Sequence, residues 1–284
     1  YVFYCVVSGN LLHTFYFRSG KKCCCTVICG HSSFYWIVSR WADENGFERK
    51  RNFMIQISNL SKKYGETVVF SDLNYTFENA CIYGLVGRNG AGKTTLLNIL
   101  SNYDKNYTGV ISIDRKKMNK VDYLDMPVAY AMDQPSFFNE LTIYENLLLI
   151  ASSRKIKKQE AFDKIERILD GLGLKKYENY SPLELSKGTM QRLNNACAMI
   201  QEEKITIFDE PFSGLDPVQM KLLENVIVEF HKKEKGIYII SSHDIECLQN
   251  VCDKCLLLHN GQIREINMEE VDREEIAKIL SEGE

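Results

Sequence analysis

The chain contains Gly87-Arg88-Asn89-Gly90-Ala91-Gly92-Lys93-Thr94-Thr95, which fits the pattern G-x-x-x-x-G-K-[ST]. Residues 81–86 precede it as an apolar run typical of a buried strand, and residues 95–100 follow with a helical pattern. Strand, glycine-rich loop and helix in this order predict a phosphate-binding site, because loop amides and a helix N-terminus supply hydrogen-bond donors and a positive dipole. We therefore expect Lys93 to reach the outer phosphates of a nucleotide and the Thr94 hydroxyl to bind magnesium.

Length and composition are those of an ordinary globular protein, with 284 residues of which 26% are charged and 45% hydrophobic. The net charge of -3 provides no basic field, so nucleic acid is not an expected partner. No apolar run reaches the roughly eighteen residues that a membrane-spanning helix needs, so a role at a membrane would require another chain to span it. Of the ten cysteines, five lie within the first thirty residues and five are scattered, which suits a reducing cytosol better than a disulfide scaffold.

Residues 1–53 differ from the rest of the chain, and we expect them to be an atypical leader. Their aromatic residues and cysteines cluster without helical or strand periodicity, and the chain opens on Tyr1. We expect this leader to be poorly ordered or to lie outside the natural coding sequence, with Met54 as the natural start. No zinc site is expected at residues 23–31, because the spacing of its cysteines and histidine matches no familiar finger.

Hydrophobic patterning from residue 54 onward predicts an α/β fold. Residues 54–60, 67–70 and 73–77 suggest three short strands of an N-terminal antiparallel β-subdomain, with a turn at residues 61–66. Later apolar strands alternate with helices, which indicates a mainly parallel sheet. The helical patterns that fall between two of those strands indicate an inserted α-helical subdomain.

The motifs occur in the order typical of ATP-binding cassette proteins, and the chain resembles the nucleotide-binding subunit of an ABC transporter. The resemblance covers roughly residues 54–266. It rests on six motifs: the phosphate loop with Tyr64 before it, Gln134, the segment 185–191 similar to LSGGQ, the acidic pair Asp209-Glu210, the loop 213–216, and His243.

The resemblance implies a P-loop NTPase core over residues 54–134 and 202–266, with the helical subdomain over residues 135–201. Residues 267–284 follow with the pattern of a charged C-terminal helix. Together these limits define an ABC ATPase domain at residues 54–266, flanked by the leader and the terminal helix.

The resemblance also assigns roles to individual residues. Catalytic roles fall to Glu210, which would activate the attacking water, to His243, which would contact the γ-phosphate, and to Lys93. Magnesium would be organised by Thr94, Gln134 and Asp209, directly or through water. Nucleotide contacts are implied for Tyr64, Gly87, Arg88, Asn89, Gly90, Ala91, Gly92, Lys93, Thr94, Thr95, Gln134, Ser186 and Gly188, with Tyr64 stacking on the base.

The segment that resembles LSGGQ departs from that pattern at two positions. Lys187 replaces a glycine and Thr189 replaces the glutamine, whereas Ser186 and Gly188 remain. In the family this serine and glycine contact the γ-phosphate that the opposite subunit holds. The resemblance therefore implies a composite site and a second ABC subunit, either an identical chain or a paralogue.

The implied function is ATP hydrolysis, with ATP and Mg2+ as cofactors, that powers transport through a separate transmembrane permease subunit. The chain would then be cytoplasmic and peripheral on the inner face of the cell membrane. Its Leu-Ser-Lys-Gly form resembles bacterial exporters, so we expect export, and we expect the permease to dock near residues 134–150, with Phe137 and Phe138 as candidate anchors. The alternative is a soluble ATP-dependent switch or a regulatory ABC protein not coupled to transport.

Overall fold

The computed structural model describes residues 53–121 and 125–267, together with the backbone of five short strands between residues 4 and 34. The remainder of the expected leader and the expected C-terminal helix at 267–284 lie outside the described residues, apart from Asn267. The described helices are α1 (Lys93–Leu100), α2 (Ile143–Ser153), α3 (Lys158–Gly171), α4 (Lys187–Met199), α5 (Pro217–Glu234) and α6 (Glu246–Gln249).

The described strands form four sheets. In chain order, these strands are β1 (Tyr4–Val7), β2 (His13–Tyr16), β3 (Lys22–Val27), β4 (Cys29–Gly30), β5 (Ser33–Phe34), β6 (Met54–Tyr64), β7 (Thr67–Glu78), β8 (Cys81–Val86), β9 (Thr108–Ile113), β10 (Lys116–Lys117), β11 (Val128–Ala131), β12 (Ile205–Phe208), β13 (Ile237–Ser242), β14 (Lys254–His259) and β15 (Gln262–Ile266). The leader strands pair among themselves, in the orders β1-β2-β3 and β4-β5.

The antiparallel subdomain has the strand order β10-β9-β6-β7. The prediction of three short strands in residues 54–77 is wrong, because β6 and β7 are two long strands whose connecting turn begins only at Gly65. Their register shifts between Ile57 and Leu60 and twice more before Tyr64. These irregularities interrupt the alternation of side chains while backbone pairing continues, so the sequence pattern resembles a turn.

The main sheet has the order β11-β12-β13-β8-β14-β15. Every neighbouring pair is parallel except β14 and β15, which form a hairpin with its turn at Asn260-Gly261. Both residues of that turn have positive φ, 48° and 71°, as a type I′ turn requires. The predicted fold class, a mainly parallel α/β core with an antiparallel β-subdomain, is confirmed.

Both faces of the main sheet are buried, and each face belongs to a different apolar cluster. Along β13, Tyr238 and Ile240 pack into the cluster that includes the helices α2 to α5, whereas Ile237 and Ile239 pack into the cluster formed with α1 and the antiparallel sheet. All six residues of β8 and of β13 are buried. This two-sided burial explains why these strands are continuous apolar runs.

The helices α2, α3 and α4 follow β11 and precede β12, where the helical insert was expected. Helix α4 contacts both β11 and β12, so the insert shares its apolar cluster with the main sheet. Phe137 belongs to that cluster and is only 8% exposed. Phe137, one of the two candidate docking anchors, is thus a core residue and offers little surface to a permease.

Asn146 fixes the chain segment that leads into the insert. Its side-chain amide donates to the carbonyls of Phe138, Leu141 and Thr142, and its Oδ1 accepts the Phe138 N–H at 3.0 Å. Thr142 caps α2 through the Glu145 N–H, and Glu145 bonds back to the Thr142 N–H. The path from β11 to α2 is thus determined by side-chain hydrogen bonds rather than by regular structure.

Within the described ranges, no helix combines the length and the apolarity that crossing a bilayer requires.

Candidate nucleotide-binding site

A cleft of about 540 Å3 lies at the carboxyl edge of the main sheet. Because β8, β12 and β13 are parallel neighbours, the segments that follow them meet at one edge. The cleft is lined by Tyr64, Thr67, Val69, Arg88, Asn89, Gly90, Gly92, Lys93, Thr94, Thr95, Asp133, Glu210, Ser213 and His243.

The phosphate loop owes its shape to three glycines with different constraints. Gly90 and Gly92 have φ of 79° and 102°, a region that side chains disfavour. A Cβ on Gly92 would also lie 2.7 Å from Val69 Cγ1, and one on Gly87 would lie 2.8 Å from the Leu258 carbonyl oxygen. Close packing against β7 and β14 therefore requires glycine at both ends of the loop, while Gly90 faces open space.

Lys93 is buried beneath the loop, with 6% of its surface exposed. Its Nζ donates to the carbonyl oxygens of Gly87 at 2.7 Å and Arg88 at 3.3 Å. The same ammonium lies 3.4 Å from Glu210 Oε1. The carbonyl groups of the phosphate loop thus orient Lys93, and its ammonium lines the cleft.

Asp209 follows β12 and is completely buried. Ser241 Oγ donates to its Oδ1 at 2.6 Å, and the Tyr130 hydroxyl donates to its Oδ2 at 3.4 Å. Burial raises the pKa of Asp209 above its ordinary value, and the charges of Asp133 and Glu210 add to this, while hydrogen bonds from Ser241 and Thr94 oppose it. The carboxylate is therefore stabilised by neutral donors where a cation would stabilise it more.

The residues at this point fit Mg2+. Oxygen ligands are the type this ion prefers, and the Thr94 hydroxyl lies within hydrogen-bonding reach of the Asp209 carboxylate. The described residues contain no group of three or more His, Cys, Asp or Glu side chains arranged around a metal. Mg2+ does not need such a cage, because it typically takes one or two protein oxygens and completes its shell with water and substrate phosphates.

Glu210 has a strained backbone, with φ of 49°. Two side chains hold it there, since its N–H donates to Ser241 Oγ at 2.8 Å and its carbonyl accepts from Gln191 Nε2 at 3.2 Å. Its carboxylate lies between His243 Nδ1, at 2.9 Å, and Lys93. The structure thus brings together the three residues expected to be catalytic.

Three residues of the site were missed by the sequence reasoning. Ser241 contacts both acids of the pair 209–210. In the sequence it is one serine at the end of an apolar strand, and nothing there indicates a role in the site. Gln191 lies on α4 and reaches the same pair from the helical insert. Asp133 lines the cleft, whereas the predicted contact Gln134 is exposed and is not among the lining residues.

Ser186 and Gly188 lie outside this cleft. Ser186 caps α4 by accepting the Thr189 N–H and lines a second cleft of about 740 Å3. Gly188 packs against the loop 213–216, where a Cβ would lie 2.9 Å from the Gly214 carbonyl oxygen. Within one chain, the structure does not bring these residues together with the phosphate loop.

Comparison with known proteins agrees with this geometry. Residues 70–213 match the family model described as ABC transporter. An uncharacterized ABC transporter ATP-binding protein of Methanocaldococcus jannaschii is 32% identical over 208 residues, which cover 73% of this chain and 75% of the relative. The bacitracin transport ATP-binding protein BcrA of Enterococcus faecalis is 30% identical over 78% of this chain and 71% of its own length. The tungstate uptake system ATP-binding protein TupC of Peptoclostridium acidaminophilum is 30% identical over 74% of this chain and 97% of its own length.

Solved structures show the same fold. The ATP-binding subunit of an ABC transporter superimposes with a TM-score of 0.70 at 26% identity, over 80% of this chain and 95% of that one. A dimeric bacterial ABC transporter cassette superimposes with a TM-score of 0.67 at 22% identity, over 75% of this chain and 98% of that one.

The fold and the cleft define a P-loop ATPase. The chain belongs to the ABC transporter family, as an ATP-binding subunit.

Replacing Asp209 by asparagine tests the electrostatics of the buried carboxylate. Asp209→Asn should raise the free energy of unfolding by about 1–2 kcal/mol at pH 7 in the absence of nucleotide, because it removes a buried charge and keeps the acceptor for Ser241. Because the pKa of Asp209 is raised in the folded state, ionisation of this carboxyl destabilises the folded protein. This destabilisation develops as the pH rises from the ordinary pKa to the raised one. The gain should therefore shrink as the pH falls towards the ordinary aspartate pKa of about 3.9.

Urea unfolding at several pH values measures this difference. Asp163→Asn on the exposed face of α3 is the matched control and should change stability by less than about 0.5 kcal/mol. A loss of stability in Asp209→Asn at pH 7 would contradict the interpretation.

Proposed function

We propose that this chain binds ATP with Mg2+ in the cleft, hydrolyses the γ-phosphate bond, and thereby powers export through a separate transmembrane permease subunit. The observation that carries the proposal is the convergence of Lys93, Glu210 and His243 at the carboxyl edge of a parallel sheet, beside a glycine-rich loop. Phosphoryl transfer needs positioning and charge neutralisation more than covalent chemistry, and this cleft offers both.

Each residue has a role that follows from its surroundings. Lys93 and the amides of residues 87–95 would hold the phosphates, with Tyr64 beneath the base. Asp209 and Thr94, with Gln134 through water, would hold Mg2+, which would supply positive charge against the developing negative charge. Glu210 would accept a proton from the attacking water, because its carboxylate projects into the cleft from a fixed backbone. His243 would donate a hydrogen bond to the γ-phosphate.

Glu210→Gln tests the role of the base. The variant should retain ATP binding but lose about 10²- to 10⁴-fold in kcat, because the amide cannot accept the proton. Phosphate release under saturating ATP and equilibrium ATP binding, measured on the same sample, separate the two effects. Glu184→Gln, at an exposed residue that ends a short 3₁₀ turn, is the control and should match the wild type. Normal turnover by Glu210→Gln would mean that the base is another group.

The position of Ser186 and Gly188 supports a composite site. A second ABC subunit, identical or paralogous, would present these two residues to the γ-phosphate in the cleft. The N-terminal amides of α4 and the helix dipole favour a phosphate there. Lys187 and Thr189, which depart from the LSGGQ pattern, flank that helix end, and Thr189 Oγ1 lies 2.9 Å from Ser186 Oγ.

Mixing two inactive variants tests the composite site. Ser186→Asp keeps a good N-cap residue but places a negative charge against the phosphate, and Lys93→Ala removes the phosphate contact. If the sites are shared, equal mixing should restore up to about a quarter of wild-type ATPase activity, because half of the dimers contain one intact site. Ser181→Asp, at the N-cap of the short 3₁₀ turn, should remain active. A mixture no more active than either variant alone would contradict the proposal.

Transport rather than a soluble switch is supported by relatives such as the bacitracin transport protein. Export is the proposed direction on the basis of the Leu-Ser-Lys-Gly form, and the tungstate uptake relative represents the opposite direction. The chain would then work at the cytoplasmic face of the membrane, attached through the permease. The alternative, a switch or regulatory ABC protein, predicts no such partner.

Isolation of the chain from solubilised membranes tests the coupling. A multi-span membrane protein should co-purify, and cells that carry Glu210→Gln should retain more of a labelled cargo than wild-type cells. A panel of labelled peptides and lipids provides that cargo. Lower retention would indicate import, and a chain that purifies without a membrane protein would support the switch.

A further inference from the structure

A buried lysine lies behind the aromatic residue of the cleft. Lys62 is only 4% exposed and lies on β6, three residues before the turn that begins at Gly65. Its Nζ lies over the Tyr64 ring, 4.5 Å from the centroid. Tyr64 itself is 52% exposed and lines the cleft, whereas Lys62 does not line it. The ammonium therefore covers the ring face turned towards the protein.

Asp104 connects these two side chains. Its Oδ2 accepts from Lys62 Nζ at 2.7 Å and from the Tyr64 hydroxyl at 3.2 Å. Its Oδ1 accepts the Asn106 N–H at 2.9 Å, and Lys62 Nζ also donates to the Asn106 carbonyl. Ring face, ring hydroxyl and carboxylate are thus joined in one closed network of charge-assisted contacts.

The network reaches the phosphate end of the cleft through the backbone. Asp104 lies in the loop that follows α1, and its N–H donates to the Asn98 carbonyl in the last turn of that helix. Helix α1 begins at Lys93. The tyrosine and the phosphate loop are therefore attached to the same rigid element, although Tyr64 belongs to a different sheet.

Placing Lys62 at this position needs a compensating benefit. Buried positions on β6 change from odd to even residue numbers at the register shift between Ile57 and Leu60, so Lys62 is buried two residues after Leu60. Burying an ammonium is costly unless it is paired, and here Asp104 and a carbonyl satisfy it. An apolar side chain would fill the same space at lower cost, but it would provide no charge over the ring.

We propose that Lys62 and Asp104 are positioning residues for the nucleotide base, which hold the Tyr64 ring with its outer face presented to ATP. The proposal rests on the proposed function, in which Tyr64 stacks on the base. An exposed tyrosine at the end of a strand otherwise samples several rotamers, and ordering it on binding would reduce affinity. The network removes that cost before the nucleotide arrives.

The test compares a ligand that has a base with one that does not. Lys62→Met keeps the aliphatic stem and removes the charge, and Asp104→Asn weakens both contacts to Oδ2. Each variant should raise KM for ATP about three- to tenfold with kcat within about twofold, because ground-state and transition-state binding of the base are lost equally. The inhibition constant of inorganic tripolyphosphate, used as a competitor, should not change.

Lys63→Met is the matched control, since Lys63 is the exposed neighbour on the same strand, and it should resemble the wild type. Tyr64→Phe removes only the hydroxyl contact of an exposed residue and should give the same pattern with a smaller increase in KM; it provides the test if Lys62→Met does not fold. Equal weakening of ATP and tripolyphosphate would overturn the inference, because that is the result of a general structural defect.

Tyr64→Ala separates this inference from the proposed function. If Tyr64→Ala leaves KM for ATP unchanged, the base does not stack on Tyr64 and the proposed role of that residue is wrong. If Tyr64→Ala raises KM while Lys62→Met, Asp104→Asn and Tyr64→Phe do not, stacking is retained as an explanation and the positioning role of Lys62 and Asp104 is rejected.

Discussion

The parallel pairing of β8 with β13 is the constraint on which the site depends. Its register places Val86 opposite Ser242, so the phosphate loop and His243 leave the sheet side by side. The pairing of β13 with β12 adds the acidic pair 209–210 at the same edge. None of these residues could reach the others through local structure, since more than a hundred positions separate the loop from the acids along the chain. Their proximity is a consequence of strand order.

Keeping such groups together has a structural cost that the rest of the fold compensates. Asp209 is fully buried, and Glu210 occupies a left-handed conformation that suits glycine better. Ser241 contacts both residues, and Gln191 fixes the second from α4. The hydrogen bond from Gln191 also connects the helical insert directly to the backbone of Glu210, whose carboxylate lies in the cleft.

Much of the fold follows from sequence alone because its signals are local and strong. The apolar runs of β8, β12 and β13 and the Asn260-Gly261 hairpin reflect burial and turn chemistry that neighbouring residues determine. The limits of β6 and β7 could not be obtained in the same way. Their bulges leave the backbone paired while the side-chain alternation is lost, so residues 61–66 resemble a turn over most of their length.

The motifs of the site could be predicted from sequence, but the residues that hold the motif side chains in place could not. Lys93 is identified by the phosphate-loop pattern, and Glu210 and His243 are identified by the resemblance to the ABC family. The structure brings these three residues together. Ser241 and Lys62 are ordinary residues in strands, and only the three-dimensional neighbourhood reveals what they contact. Phe137 illustrates the opposite case, because an aromatic side chain close to a polar turn can still belong to the core.

The ion pair between Lys93 and Glu210 has a thermodynamic consequence for ligand entry. A phosphate that approaches Lys93 meets an ammonium already in contact with a carboxylate at 3.4 Å and with two carbonyl oxygens. Binding is therefore an exchange of anionic partners, and its net free energy is smaller than the attraction of an isolated charge. An entering anion gains most when it supplies more oxygens than the carboxylate it displaces. Such exchange favours a terminal phosphate group over simple monovalent anions. The site therefore selects among anions by their charge and by the number of oxygen atoms they present to Lys93.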